Sequence, residues 1–192
     1  MNTPSRRILT GVVLGGWAVI GTFLASCGLP AIEPARPDAT RYYVLAGTAG
    51  LQFESTGVHV KPVRVPAYLQ SRLMAVRLGS NEVRYAAEAH WAEPLDAALT
   101  QLLRAQVKPR AGAADVTVQV LVQQCEGASN GVLFAASFEI SAEGKDAMPV
   151  RHEFTAKPRA WDGKDYAKLA AGLREAAGEL AEVISAALPE KK

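Results

Sequence analysis

The chain has 192 residues, 49% of them hydrophobic, and a formal charge of +2 at neutral pH. This composition excludes an intrinsically disordered chain, and the length suits one domain with a core of its own. No run of five basic residues occurs, so the sequence lacks the electrostatic signature of a nucleic-acid-binding protein.

The first 26 residues predict an export signal. Arg6 and Arg7 form a positively charged start, and residues 8–24 form an apolar run without a charge. This run is near the lower length limit for a membrane span, and its four glycines lower its hydrophobicity and its helix propensity. We therefore expect a leader that is removed rather than a membrane-spanning helix.

A lipidation motif ends this leader. Leu24-Ala25-Ser26-Cys27 resembles the lipobox of bacterial lipoproteins. The resemblance implies that the thiol of Cys27 receives a diacylglycerol, that the leader is cut before Cys27, and that the new amino group is acylated. Three acyl chains would make the membrane anchor effectively permanent. The alternative is a signal anchor that ends in a cysteine by coincidence.

Gly28 and the residues after it suggest where the anchored domain is held. In the enterobacterial sorting rule an aspartate at this position retains a lipoprotein in the inner membrane, so Gly28 implies delivery to the outer membrane.

Residues 27–40 contain three prolines and no apolar periodicity. They predict an extended tether of roughly 40 Å, at about 3.1 Å per residue, between the lipid and a domain at 41–188.

The first half of that domain alternates short strands with one helix. Residues 41–47 predict a strand, residues 57–66 an edge or bulged strand because of Pro62, and residues 72–85 two strands around a turn at 79–81. Residues 93–109 change to a helical period, with Pro94 expected at the first helical position.

The second half predicts three strands and a long helix. Residues 114–125 alternate valine with polar residues, and turns at 127–131 and 144–146 separate this strand from apolar alternations at 132–140 and 148–156. Such a series forms an antiparallel meander. Residues 163–188 carry one apolar stripe, with Asp162 as the expected cap. The predicted fold class is α/β: a layered sandwich whose mixed, mostly antiparallel sheet of about six or seven strands packs against two main helices.

Few residues of this domain suggest chemistry. No glycine-rich phosphate loop, GxSxG elbow or HExxH motif is present, and the three histidines lack metal-ligand spacing. Glu88 and Glu93 flank His90 and form the one candidate acid/base group, although a strand-to-helix turn exposes such charges anyway. We expect no enzymatic activity, no cofactor and no metal. Cys125 is expected to be a small buried hydrophobe, and an intermolecular disulfide or a reactive thiol is the alternative.

Three segments carry a resemblance to a known family. The chain resembles the ABC-type transport auxiliary lipoprotein family in these segments, which are Tyr42-Tyr43-Val44-Leu45, Val65-Pro66-Ala67-Tyr68-Leu69 and Trp91-Ala92-Glu93-Pro94-Leu95. The resemblance covers residues 24 to about 107, and beyond 110 only the order of strands and the closing helix agree. Residues 71–77 depart from the more polar version of the family. The motif or partner-binding residues that it singles out are Tyr43, Pro66, Tyr68, Leu69, Trp91, Pro94 and Leu95.

The resemblance implies a non-enzymatic accessory of a transport system that moves lipids between two membranes. The accessory would sit under the outer membrane and dock a periplasmic MCE-domain protein, which works with an inner-membrane transporter component. It would do so as a homo-oligomeric ring. Two alternatives stay open from the residues alone. One is a carrier that holds a lipid or another small hydrophobic ligand inside the sandwich, and the other is an envelope hydrolase that uses His90 and Glu88.

Overall fold

The computed structural model describes residues 39–46, 57–108, 116–129, 131–142 and 149–189. Two helices and seven strands form in these ranges, together with a short 3-10 turn at Ala67–Gln70. The helices are α1 (Leu95–Gln106) and α2 (Tyr166–Ala187). The strands are β1 (Arg41–Tyr43), β2 (Val58–Val60), β3 (Leu73–Arg77), β4 (Val83–Trp91), β5 (Val116–Ala128), β6 (Gly131–Ala142) and β7 (Val150–Thr155).

The seven strands form one mixed sheet that is not closed, with the order β1-β4-β3-β5-β6-β7 and with β2 beside β5. The predicted fold class, an α/β sandwich with two main helices, is confirmed. The meander is also confirmed, because β5 pairs antiparallel with β6 and β6 pairs antiparallel with β7. Three other pairs are parallel: β1 with β4, β2 with β5, and β3 with β5.

Strand β5 is the centre of the sheet and of the core. One of its edges pairs with β6 over nearly its whole length, and the other pairs with β2 near Val116 and with β3 near Gly127. Its alternating valines are buried in a core cluster with the apolar sides of α1 and α2. The members of that cluster on β5 before its bulge are Val116, Val118, Val120 and Val122. Burying each such side chain stabilises the fold by about 1.5–3 kcal/mol.

Pro62 interrupts the pairing of the second strand, as its missing N–H predicts. The strand β2 ends at Val60, and the backbone N–H of Lys61 donates to the carbonyl of Val118 at 2.9 Å. Pairing resumes at Arg64, whose N–H donates to the carbonyl of Val120 at 3.0 Å. The predicted bulged strand is therefore confirmed, with Pro62 at the bulge.

The β5–β6 turn is tighter than predicted. The expected turn began at Gly127, but β5 continues through Ala128 and β6 begins at Gly131. Gly127 lies in the strand, and the Trp161 ring packs so close to it that a Cβ would lie 2.4 Å from a ring carbon. A bulge between Val122 and Gln124 also shifts the alternation, which brings Cys125 into the core cluster.

The third strand of the meander is an edge strand, and it buries less than its pattern predicted. Val150 is exposed, whereas His152 and Phe154 are half-buried. The His152 ring stacks on Phe138 at a centroid distance of 4.8 Å, and Phe154 meets Phe134 edge-on at 6.2 Å. The predicted turn at 144–146 and the start of the third alternation at Met148 lie outside the described residues.

The long helix is capped by Asp165, so the predicted cap, Asp162, is wrong. Asp165 caps α2, because its Oδ1 accepts hydrogen bonds from the backbone N–H groups of Ala167 at 3.0 Å and Lys168 at 3.2 Å. Asp162 instead accepts hydrogen bonds from the N–H groups of the turn before the helix, which hold the pKa of its carboxyl below the usual value. The helix consequently begins at Tyr166, three residues later than predicted.

Cys125 is a buried free thiol, as expected for a small hydrophobe in the core. Burial raises the pKa of this thiol, and the nearby Glu126 carboxylate raises it further. Because the thiolate is the reactive form, this environment makes Cys125 inert while the domain is folded. The reactive-thiol alternative therefore has no support from the position of Cys125.

We predict that Gly131→Ala destabilises the domain by about 2 kcal/mol or more. Gly131 has φ +139°, and a Cβ there would lie 2.1 Å from the carbonyl oxygen of Arg159, which is backbone. Gly79→Ala is the matched control, because nothing lies within 4 Å of its Cβ position. Urea unfolding of both variants measures the difference, and equal midpoints would contradict the prediction.

Candidate docking surface and the residues that support it

The first and third family segments meet as neighbouring strands. In the parallel β1–β4 pair Tyr43 lies opposite Trp91, and the N–H of Ala92 donates to the carbonyl of Tyr43 at 2.8 Å. Trp91 is buried, and its own N–H donates to the carbonyl of Arg72 at 2.7 Å. These two aromatic residues hold the start of the domain against the strand that leads into α1.

The second family segment forms the 3-10 turn and fastens it to the sheet. Pro66 precedes the turn, and its carbonyl accepts a hydrogen bond from the N–H of Leu69 at 2.9 Å. Leu69 is buried in the core. The hydroxyl of Tyr68 donates to the carbonyl of Gln123 at 3.2 Å, and the hydroxyl of Tyr85 donates to the carbonyl of Tyr68 at 2.8 Å. The turn is thereby connected both to β5 and to β4.

An ion pair that the sequence did not indicate lies beside this turn; we call it the buried ion pair because its carboxylate is fully buried, although its guanidinium side chain is 21% exposed. Glu126 is fully buried on β5, and its Oε1 lies 2.5 Å from Nε of Arg77 on β3. The other oxygen, Oε2, is buried and has no hydrogen-bond partner in the part of the chain that the structure describes. The hydrogen bond to Glu126 raises the pKa of Arg77. Burial raises the pKa of Tyr68 to about 12, and the Glu126 carboxylate adds to this effect.

Pro94 and Leu95 begin α1. Pro94 was expected at the first helical position, but it is the residue just before the helix, and its carbonyl accepts a hydrogen bond from the N–H of Ala98 at 3.0 Å. A proline here is favourable because its fixed φ already suits the start of a helix. Leu95 is buried, whereas Pro94 is exposed.

The seven family-motif residues therefore lie in three places in the domain. These are the β1–β4 strand pair, the 3-10 turn and the start of α1. Leu69, Trp91 and Leu95 are buried, so a partner could not reach them in this conformation. Their side chains belong to the hydrophobic core cluster of the domain.

The candidate acid/base group does not assemble. His90 Nε2 lies 3.1 Å from the carbonyl oxygen of Ala87, and the His90 ring meets Tyr42 edge-on at 5.6 Å. Glu93 accepts a hydrogen bond from Gln101 instead. Neither Glu88 nor Glu93 forms an ion pair or hydrogen bond with His90. Among the described residues, no group of three or more His, Cys, Asp or Glu side chains is placed to hold a metal ion.

An open groove runs along the uncovered part of β4. β1 pairs only with residues 89–91 of this nine-residue strand. The groove has a volume of about 840 Å³ and lies between β4 and the start of α2. Tyr85 is 38% exposed at this edge, and Tyr42 on β1 is 61% exposed. The side chains that line the groove are those of Arg41, Tyr43, Arg84, Tyr85, Ala86, Ala87, Glu88, Ala89, Asp162, Lys164, Asp165, Tyr166 and Ala167.

Neither helix in the described ranges has the length and apolar character needed to cross a membrane. Cys27 and the predicted leader lie outside those ranges. The expected anchor is thus not part of the described structure.

The comparisons with known proteins identify the family. A family model described as the ABC-type transport auxiliary lipoprotein component matches residues 43–185. This match spans more than half of the chain, so the chain belongs to the ABC-type transport auxiliary lipoprotein family, and the resemblance read from its three motifs is confirmed. No curated protein matches the sequence.

Two solved structures share the fold. One is the crystal structure of protein XCC0632 from Xanthomonas campestris, of the DUF330 family, with TM-score 0.56 and 17% identity over 76% of this chain and 91% of that one. The other is an uncharacterized protein, with TM-score 0.54 and 19% identity over 77% of this chain and 97% of that one. At these identities the likeness supports the fold alone.

We predict that removing one partner of the buried ion pair lowers the free energy of unfolding far more than replacing both partners does. Arg77→Met leaves the Glu126 carboxylate buried without compensation, which costs about 3–5 kcal/mol. The double variant Arg77→Met/Glu126→Leu removes that charge and should recover most of the loss. Denaturant unfolding of the single and double variants tests this, and a double variant as unstable as Arg77→Met would contradict it.

Proposed function

We propose that this chain is a lipid-anchored accessory subunit, in the periplasm under the outer membrane, that docks the MCE-domain component of an intermembrane lipid transport system. It does so through binding and without catalysis. The observation that carries the proposal is the family match over residues 43–185, whose description is a transport auxiliary lipoprotein component. The docking, the MCE partner and the outer membrane go beyond that description, and so does the homo-oligomeric ring, which we add to the proposal because the family resemblance implies it.

The physical organisation of the chain supports an anchored adaptor. The lipobox and a proline-rich tether precede a domain whose seven-strand sheet is braced by a buried ion pair. A rigid domain on a short tether raises the local concentration of a docking site at the membrane, so a partner that reaches one copy meets others at high effective concentration.

The groove along β4 is the surface we assign to docking. It exposes tyrosines together with charges of both signs, a composition that suits a protein partner. The carrier alternative requires an apolar enclosure for a lipid. The groove along β4 is open and lined by six charged residues, and a second groove between α1 and α2 is lined by charged residues as well. Neither groove favours the carrier alternative.

We predict that Cys27→Ala abolishes the anchor. Without the thiol no diacylglycerol can be attached, so the variant should be uncleaved or soluble and should be lost from the outer-membrane fraction. Sucrose-gradient fractionation and intact mass spectrometry of the purified chain measure both effects. A Cys125→Ala variant is the matched control and should fractionate normally. Outer-membrane recovery of Cys27→Ala would contradict the anchor.

We further predict that the tagged chain captures an MCE-domain protein from detergent-solubilised envelopes. The control is a chimera that joins residues 1–40 to an unrelated periplasmic domain, which keeps the expected anchor and tether but lacks the groove. Mass spectrometry identifies what each captures. The proposal fails if no MCE-domain protein is enriched by this chain relative to the chimera.

A further inference from the structure

The charged residues that line the groove along β4 differ in whether the domain itself pairs them. Two of its three acidic residues have partners. Asp165 caps α2 by accepting hydrogen bonds from the N–H groups of Ala167 and Lys168, and Asp162 accepts two from the N–H groups of the turn before the helix. The Nζ of Lys168 also lies 3.5 Å from Oδ2 of Asp165 and 3.8 Å from Oδ2 of Asp162. Much of this negative charge is therefore used within the domain.

The three basic residues of the groove have no such partners. Arg41, Arg84 and Lys164 are exposed, and among the described residues none of their side chains forms an ion pair or a hydrogen bond. The third acidic residue, Glu88, is also exposed and unpaired within those ranges. In the groove between α1 and α2, by contrast, Arg159 pairs with carboxylates of α2. The groove along β4 thus offers three free cationic side chains against one free carboxylate.

We propose that the groove along β4 binds an acidic segment of the docking partner, whose carboxylates pair with Arg41, Arg84 and Lys164. Complementary charge across an interface speeds association and selects the partner, because like charges brought together are costly. This inference rests on the docking surface of the proposed function and adds the chemistry that the docked segment must carry.

A protein segment fits this groove better than an anionic lipid surface does. The basic side chains line a concavity of about 840 Å³ between β4 and the start of α2, which a peptide segment can enter and a flat bilayer surface cannot. Tyr43, Tyr85 and Tyr166 line the same concavity, and tyrosine is enriched where proteins bind one another.

A synthetic acidic probe tests the inference directly. The probe is a fluorescein-labelled peptide of about ten residues that alternates glutamate with threonine, and its matched control alternates glutamine with threonine. Fluorescence anisotropy with the full mature chain in detergent at low ionic strength should show the acidic peptide binding at least about tenfold more tightly, with the difference shrinking as salt is added. Equal affinity for the two peptides overturns the inference.

Charge variants show whether the acidic peptide binds in this groove. Arg84→Glu and Lys164→Glu should each weaken its binding at least about tenfold, whereas Glu88→Gln should strengthen it, because a repelling carboxylate is removed. Arg174→Glu, an exposed charge reversal on α2 in the other groove, is the matched control and should bind normally. Circular dichroism verifies that each variant is folded. Groove variants that bind as well as this control overturn the inference.

Two other occupants of the groove are outcomes of the same measurements. Dihexanoylphosphatidylglycerol is a soluble anionic lipid, and if it binds more tightly than the acidic peptide and is lost in Arg84→Glu, the groove belongs to a lipid and the inference is overturned. Self-association of the chain that disappears in Arg84→Glu would assign the groove to a second copy and would also overturn it.

Capture from envelopes separates this inference from the docking proposal. If Arg84→Glu captures an MCE-domain protein as well as the unaltered chain does, the inference fails and the docking proposal stands. If the unaltered chain captures none, the docking proposal fails, and the acidic peptide still decides whether the groove selects acidic segments.

Discussion

The fold depends on one strand whose backbone N–H and C=O groups form hydrogen bonds along both of its edges. β5 pairs with β6 on one side and with β2 and then β3 on the other, so its backbone groups are paired inside the sheet over most of its thirteen residues. Its valines are buried in the core cluster that also contains the apolar sides of both helices. Because unpaired buried backbone groups are costly, this strand can be central only if partners from both halves of the chain reach it. One family-motif segment is joined directly to β5, because the hydroxyl of Tyr68 in the 3-10 turn donates to the carbonyl of Gln123.

The buried ion pair connects a strand from the first half of the chain to a strand from the second half. Arg77 and Glu126 lie on β3 and β5, close to the parallel contact between these strands, and Tyr68 from the 3-10 turn lies against them. An ion pair of this type adds little net stability over a well-packed apolar pair, but it penalises any arrangement that separates its members. We therefore expect this pair to favour the observed register of β3 against β5.

The periodicity of apolar residues predicted the helices and strands well, but it did not predict which strands lie next to each other in the sheet. The alternation of Val116 to Val122 and the stripe on α2 are local signals, and both elements are present where these signals placed them. The parallel pairing of β1 with β4 left no local trace, because it joins residues almost fifty positions apart. Glu126 was missed because it follows a bulge that reverses which side chains face inward, and the sequence alone reads Glu126 as the approach to a turn. The cap of α2 was ambiguous because two aspartates stand three residues apart. The groove along β4 could not be predicted, because its extent depends on where β1 pairs with β4 and no pattern in the sequence indicates that pairing.

The topology of the sheet also bears on how the chain would be made and exported. β1, β2 and β3 precede the strands β4 and β5 that complete them, whereas the meander β5–β7 is built from neighbours in sequence. Parallel pairings between distant segments form late, because a long loop must close before any contact rewards it. In a chain threaded across a membrane from its amino end, β1, β3 and β4 could pair with one another within the first half of the domain, whereas β2 would have no partner until β5 arrives. The pairings of β2 and β3 with β5 would therefore be the last that the first half of the domain completes.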